Sequence, residues 1–408
     1  MVATRSSHAR LSPGKWGFPD EPDRSTIESM TTLRTEPVQR GLETLARSGL
    51  GWRAFAEEAS ELLGAAVPFD AACLGPVDPD TGLLTGSVKR NLGDEMDAEF
   101  LRHEYVTDEV NLFLALARRE RPVGILADDT GGDPRRSSRH RDVFVPHWAL
   151  DHEMRAAALA EGTPWAAVAL YRSGGTGGFS PAEAAFLGRV SPTIALGVRA
   201  GLVTAVASGA ADERPAAGPG PVLGPAVLVV EADDTVSRLS PAAEVRLAEL
   251  GGTGWGALPN PVAAITAAAR ALGAGRLGTV PRLRVRTPAG EWLVVHAAPL
   301  TGPDGRPRQV VVTIEEARPP EIVPLVVAAL GLTGREQEVV AAVLQGESTQ
   351  EISRALHLSP WTVQDHLKAV FEKAGVGSRR ELVARVFFDH YAPRLSDRIA
   401  PGGFFAGA

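Results

Sequence analysis

The chain has 408 residues, a formal net charge of −7 and one cysteine, Cys73. The length predicts about two to four domains, and the acidic balance excludes a general polyanion binder. One cysteine excludes a disulfide framework and a cysteine-based zinc site and suits a reducing cytoplasm; no run approaches the ~18 uninterrupted apolar residues of a membrane span, so a cytoplasmic location and no membrane partner are expected.

In chain order, residues 1–30 carry arginine, serine, proline and acidic residues without periodicity and read as a disordered tail. They lack the apolar core of a signal peptide, and Met30 is a candidate true start. A first module spans 31–206. Val38, Leu42 and Leu45 suggest a helix; Trp52, Phe55, Ala59, Leu62 and Leu63 suggest a second. Phe69–Val77 and Leu83–Val88 read as strands joined by the Asp78-Pro79-Asp80-Thr81-Gly82 turn. Helices are expected near Asp94–Glu104 and Asp108–Arg119, then a short strand at Val123–Leu126, a polar loop at Asp128–Arg136 and a short helix at Ser138–His147. Glu153–Leu159 and Trp165–Tyr171 read as a hairpin. Ser180-Pro181 with Glu183 caps a long helix whose buried side carries Phe186, Leu187, Val190, Ile194, Leu196 and Val198.

ASGAADERPAAGPGP, residues 207–221, is a linker by composition. The second module, 222–317, reads as strand, Asp233-Asp234 turn, strand, two helices, then three strands, with a hairpin turned at Pro288-Ala289-Gly290. A connector at 318–331 carries Ile322, Leu325 and Leu330 on a helix.

Residues 332–391 are the informative stretch, followed by a tail at 392–408. Thr333 with Glu336 and Ser348 with Glu351 are capping boxes; Ser359-Pro360 opens a third helix that stops at Gly375; Ser378 with Glu381 opens a fourth. Helices two and three, joined by His357-Leu358-Ser359, form a helix-turn-helix. In the third helix Val363, Leu367, Val370, Phe371 and Ala374 face inward, while Trp361, Gln364, Asp365, Lys368 and Glu372 face outward. A second helix of this kind lies in the major groove with its N-terminal residues nearest the base edges. Gln364 can pair with adenine, Lys368 with guanine or a phosphate, and Asp365 can accept from cytosine or tune Lys368. Thr362, His366, Lys373, Ser378, Arg379 and Arg380 stand where phosphates could be met. A capped bundle with a solvated charged face remains the competing reading, because acidic residues in this stretch roughly match basic ones. Against it, two of the four lysines lie on one helix.

LTGREQEV, STQEISRALHLS and SPWTVQDHLKAVFEKAGVGSRRELVA resemble the DNA-binding domain of LuxR-type transcriptional regulators, without a gap across nearly all of Leu332–Val386. The resemblance implies that Gln364, Asp365 and Lys368 meet the bases. It also implies that the fourth helix, at Leu382, Val383 and Val386, supplies a dimer contact. The first module, ending in WAAVALYRSGGTGGFSPAEAAFLGRVSPTIALGVR, resembles a GAF domain, which implies a pocket for an effector or partner, lined by the insert around Tyr105–Trp148. No binding residue carries over. The second module resembles a small PAS-type unit.

Other motifs are set aside. Gly273 to Gly278 fits GxGxxG by letter but follows a helix and precedes a strand, the reverse of a phosphate-binding turn. His147, Asp151 and His152 share no helical turn. Asp128-Asp129 lacks the companion residues of a phosphoacceptor. Cys73 lies in a strand and reads as packing; Trp165, Trp255 and Trp292 read as core.

The expected protein is therefore multidomain. GAF-like and PAS-like α+β sensor modules, each an antiparallel sheet with helices, precede an all-α four-helix helix-turn-helix domain. It is expected to be a non-enzymatic regulator that binds double-stranded DNA as a homodimer, with a small-molecule effector in the first module and RNA polymerase among its candidate partners. No metal or cofactor is expected. The alternative is a protein-binding signalling adaptor or a GAF-type signalling protein with little DNA affinity.

Overall fold

A computed structural model describes the backbone of residues 24–204 and 225–387 and two short strands beyond them. The expected linker at 207–221 and residues 1–23 lie outside the described residues.

In the first module α1 (Arg24–Leu45) and α2 (Trp52–Ala66) precede β1 (Ala71–Pro76) and β2 (Val88–Arg90). The insert holds α3 (Asp97–Tyr105), α4 (Phe113–Leu116), β3 (Val123–Ile125), α5 (Leu126–Asp129), a 3-10 turn, a π-helical turn at His140–Phe144 and α6 (Val145–Trp148). Then come β4 (Leu150–Ala160), β5 (Thr163–Ser173) and α7 (Pro181–Val203). The strands form one antiparallel sheet in the order β2-β1-β5-β4-β3. Successive residues of its central strands point to opposite faces. Ala156, Ala158, Val168 and Leu170 pack with the apolar stripes of α1, α2 and α7. Ala157, Ala167, Ala169 and Tyr171 pack on the other side, under the insert. The β4–β5 hairpin is closed by Glu161 and Gly162, both at positive φ, the two-residue turn that matches strand twist.

The second module contains β6 (Ala226–Val230), β7 (Val236–Leu239), α8 (Pro241–Glu249), α9 (Asn260–Gly273), β8 (Arg282–Arg286), β9 (Trp292–Thr301) and β10 (Pro307–Glu316). Its sheet order, β7-β6-β10-β9-β8, repeats that of the first. Helix α9 is buried nearly all round, because one side lies on this sheet and the other on α3 of the first module. Its alanines permit that double approach.

Helix α10 (Pro319–Ala329) buries Ile322, Leu325 and Val326 and packs against α7 on one side and the C-terminal helices on the other. Those are α11 (Gly334–Leu344), α12 (Thr349–Ala355), α13 (Pro360–Ala374) and α14 (Arg379–Phe387). Strands β11 (Arg398–Ile399) and β12 (Phe405–Ala406) pair with each other.

Several expectations need correction. Helix α1 starts at Arg24, inside the expected disordered tail. The helix expected over Asp108–Arg119 shrinks to α4, because Asn111 turns left-handed (φ 57°) and the Phe113 amide is taken by the Glu104 carboxylate at 2.7 Å. The strand expected at Leu83–Val88 is delayed to β2; before it only a Val77–Leu84 bridge forms. Leu196 is 40% exposed, since it lies off the stripe of Leu187, Val190, Ile194 and Val198. Trp255 is 60% exposed, in a glycine-rich loop. Helix α7 has the length and apolarity of a membrane span, yet 61% of that window is buried inside the protein.

Candidate nucleic-acid interface

The C-terminal helices are set by their caps. Thr333, Ser348 and Ser359 each accept a backbone N–H in the first turn through their hydroxyls, and the Glu336 and Glu351 carboxylates accept the Thr333 and Ser348 amides in turn, each at 2.7 Å. Gly346 and Gly375 close α11 and α13 at φ 86° and 62°, where only glycine is unstrained. Helix α13 inserts Val363, Leu367, Val370 and Ala374 into the core with Val339, Val343, Ile352 and Leu382. That packing fixes which face of α13 meets solvent: Trp361, Gln364, Asp365, Lys368 and Glu372 are all exposed. A shallow depression lined by Gln364, Lys368, Phe371, Glu372 and Gly377 runs beside them.

The three residues expected at base edges therefore share one open face. Gln364 Nε2 donates to the Thr349 hydroxyl at 3.3 Å, which ties this face to the first turn of α12.

The six residues expected at phosphates are not equivalent. Arg380 is exposed and His366 is half-buried. The Thr362 hydroxyl lies 2.8 Å from that of Ser359, and the Ser378 hydroxyl donates to Glu381 at 3.0 Å. Arg379 donates to the Glu347 carbonyl, so it braces α14 against the turn before α12. Lys373 Nζ is 2.6 Å from Glu336 Oε2. Burial opposes ionisation of that carboxyl, but the Lys373 ammonium and the Thr333 amide outweigh burial and hold it below the usual carboxylate range. Lys373, itself exposed, thus ties α13 to the first turn of α11.

The three residues implied as a dimer contact divide. Leu382 and Val386 are fully buried within one chain, against α10 and α11, and Val383 is half-buried. Among its described residues, a fourth helix whose apolar stripe faces its own domain leaves Val383, Ala384 and the exposed Arg380, Glu381 and Arg385 for a second copy.

The outward list in the sequence omits the exposed Arg354 on α12, and it names Trp361 without a role. The outward placement of Trp361 read from the helical spacing agrees with its exposure in the packed helix. From Leu332 to Phe387, Arg335, Arg354, Lys368, Lys373, Arg379, Arg380 and Arg385 are balanced by Glu336, Glu338, Glu347, Glu351, Asp365, Glu372 and Glu381.

A second constellation lies under the insert of the first module. Arg155 pairs with Glu104 at 2.7 Å, donates to the Asn111 carbonyl at 2.8 Å and stacks on Phe113. Arg139 pairs with Glu153 at 2.6 Å, and both pairs are fully buried. Arg139 Nη1, Arg155 Nε and both amide atoms of Asn111 have no hydrogen-bond partner in the chain. His103 and His140 are buried beside this cluster, and desolvation pushes both below the usual imidazole range. Among the described residues no group of side chains could hold a metal ion.

Residues 330–386 match the family model described as bacterial regulatory proteins, luxR family. The same region is 43% identical over 56 residues to the monoamine regulon transcriptional regulator of Klebsiella aerogenes, covering 14% of this chain and 25% of that protein. A helix-turn-helix-type transcriptional regulator of Mycobacterium tuberculosis is 46% identical over 52 residues, 13% of this chain and 6% of the relative. The match thus spans a quarter or less of these relatives' own length. Among solved structures, Vibrio cholerae VqmA, a LuxR-type receptor, aligns over 40% of this chain and 82% of its own at 18% identity and a TM-score of 0.21.

Proposed function

We propose that this chain, whose residues 330–386 are a DNA-binding domain of the luxR type, is a transcriptional regulator. It binds a two-fold double-stranded DNA site as a homodimer, and a small molecule or partner sensed in the GAF-like and PAS-like modules controls that binding. The observation that carries the reading is the open stripe Gln364, Asp365 and Lys368 on a helix whose opposite face is core. In the major groove these side chains match adenine, cytosine and guanine edges. The balanced charge of the domain supports modest non-specific affinity, with discrimination left to the base contacts.

The sensor modules do not cover this stripe in a single chain, so control acts through how two copies are set relative to each other. An effector that prefers one arrangement shifts the population toward the geometry fitting two half-sites about one helical turn apart. The role is non-catalytic, and RNA polymerase is the further partner that an activating form would meet.

Selection of duplexes from a random pool by the full-length protein, at one stated salt concentration, tests this. A two-fold motif is expected, with Gln364→Ala and Lys368→Ala each costing about 1–3 kcal/mol of specific binding. Folded protein that enriches no duplex would remove the DNA reading and favour the adaptor.

A further inference from the structure

We propose that Trp361 reads the methyl group of a thymine in the major groove, as the first member of the recognition stripe. The inference rests on the DNA-binding reading and assigns a residue to it that neither the sequence pattern nor the family match singles out.

Trp361 is 76% exposed, against 60% for Trp255 in its glycine-rich loop, whereas Trp52, Trp165 and Trp292 are buried. A large apolar ring held in water is a costly placement unless a partner covers it. Its position is fixed. Pro360 occupies the first turn of α13, the Ser359 hydroxyl accepts the Thr362 amide at 3.0 Å, and the two hydroxyls meet at 2.8 Å. The indole therefore leaves a rigid helix start, the end of a recognition helix that lies nearest the base edges.

Trp361, Asp365, Lys368 and Glu372 recur at helical spacing on one exposed face, with Gln364 beside them. The polar members can answer adenine, cytosine and guanine, and none can read a methyl group. Thymine presents that methyl beside the O4 acceptor, and an indole offers an apolar face beside one N–H donor. With Asp365 one turn away repelling phosphate, the base floor is the better seat for the ring than the backbone. Seven residues at ~1.5 Å each put Trp361 about 10 Å along the helix from Lys368, about three base steps. The thymine is therefore expected about three base pairs from the base that Lys368 contacts.

The test is a double-mutant cycle on the full-length protein. The duplex enriched from a random pool is remade with deoxyuridine in place of each thymidine in turn, which removes one methyl and nothing else. Each duplex is titrated with the native protein, Trp361→Ala and Trp361→Phe, with circular dichroism confirming the fold. One thymine per half-site is expected at which the native protein loses roughly fourfold in affinity, the worth of one buried methyl-sized group. Trp361→Ala should bind the unmodified duplex about tenfold more weakly and lose nothing further at that position, while Trp361→Phe keeps most of the methyl dependence. Equal weakening of all duplexes by Trp361→Ala makes the ring a backbone contact and overturns the proposal. So does native affinity in Trp361→Ala, which assigns the exposed ring to a protein partner. No enriched duplex at all removes the DNA reading, and this proposal with it.

Discussion

Lys373 is a basic residue on a recognition helix, and its type suggests a phosphate. Its surroundings supply Glu336 instead, 37 residues away in sequence. The glutamate's carboxyl is held below its ordinary value, so the sign of its linkage to folding follows. The stabilisation is complete above the unfolded value, about 4.3, and is lost as pH falls through that range and below it. Lys373→Met is expected to cost the domain about 1 kcal/mol at neutral pH, discounted because the ammonium is part-exposed. It should also flatten the acid limb of a plot of melting temperature against pH. The slope of DNA affinity against salt should stay as in the native protein, because no phosphate contact is lost; a shallower slope would return Lys373 to the DNA. Cys73 carries a second prediction at this scale. Cys73 is half-buried, and desolvation pushes its thiol up to about 11, so at pH 8 a disulfide reagent should label the folded protein far more slowly than the unfolded chain; equal rates would show the thiol to be unperturbed. Helix caps were legible in the sequence because Thr333, Ser348 and Ser359 act within four residues of themselves. The partner of Lys373 was not, because only packing brings α11 to α13.

Helix α14 separates two meanings of an apolar stripe. The spacing of Leu382, Val383 and Val386 announces a buried face and does not say whose core buries it. The chain supplies its own through α10 and α11. Leu382→Asp should therefore unfold the C-terminal domain, placing a carboxylate where a leucine is fully buried, at a cost of about 3 kcal/mol or more. Val383→Asp should leave the fold intact and weaken any self-association made through α14. Far-ultraviolet dichroism with sedimentation of both variants decides this; a folded Leu382→Asp that merely loses its dimer would restore the original assignment. Other misreadings at this scale share a cause. Asp108–Arg119 has a helical composition, yet Asn111 turns left-handed and the Glu104 carboxylate accepts the Phe113 amide, so the helix starts only at Phe113. The strands read more reliably, since β4 and β5 alternate between two buried faces and their turn residues sit where a two-residue hairpin needs them.

At the scale of the whole molecule, two sheets of the same strand order are joined by a seam that no local pattern announces. Arg284 on β8 is buried, and its guanidinium takes both oxygens of Asp78, at 2.8 and 2.9 Å, and Asp80 at 2.6 Å, in the turn after β1. Its remaining nitrogen donates to the Glu321 carbonyl at the start of α10, at 3.4 Å. One side chain thus touches the first module, the second module and the helix on which the DNA-binding domain rests. Asp234 reinforces the seam by taking Arg102 from α3 and Arg270 from α9. The sequence identified the Asp78-Pro79-Asp80 turn as a turn and could not reveal that it is also a socket, because its guest arrives 206 residues later. Asp78 is as buried as its partner, so Arg284→Ala leaves a carboxylate without its counter-charge, a change that costs about 3–5 kcal/mol. Arg284→Lys should recover only part of that, because an ammonium cannot hold both oxygens. Scanning calorimetry should show the native modules melting together and the Arg284→Ala modules melting apart, the second at the lower temperature. If the seam also sets the position of α10, the variant should lose the dependence of DNA affinity on effector while its base preferences persist. Cooperative melting and full effector response in Arg284→Ala would assign the coupling to the apolar contact of α3 with α9 alone.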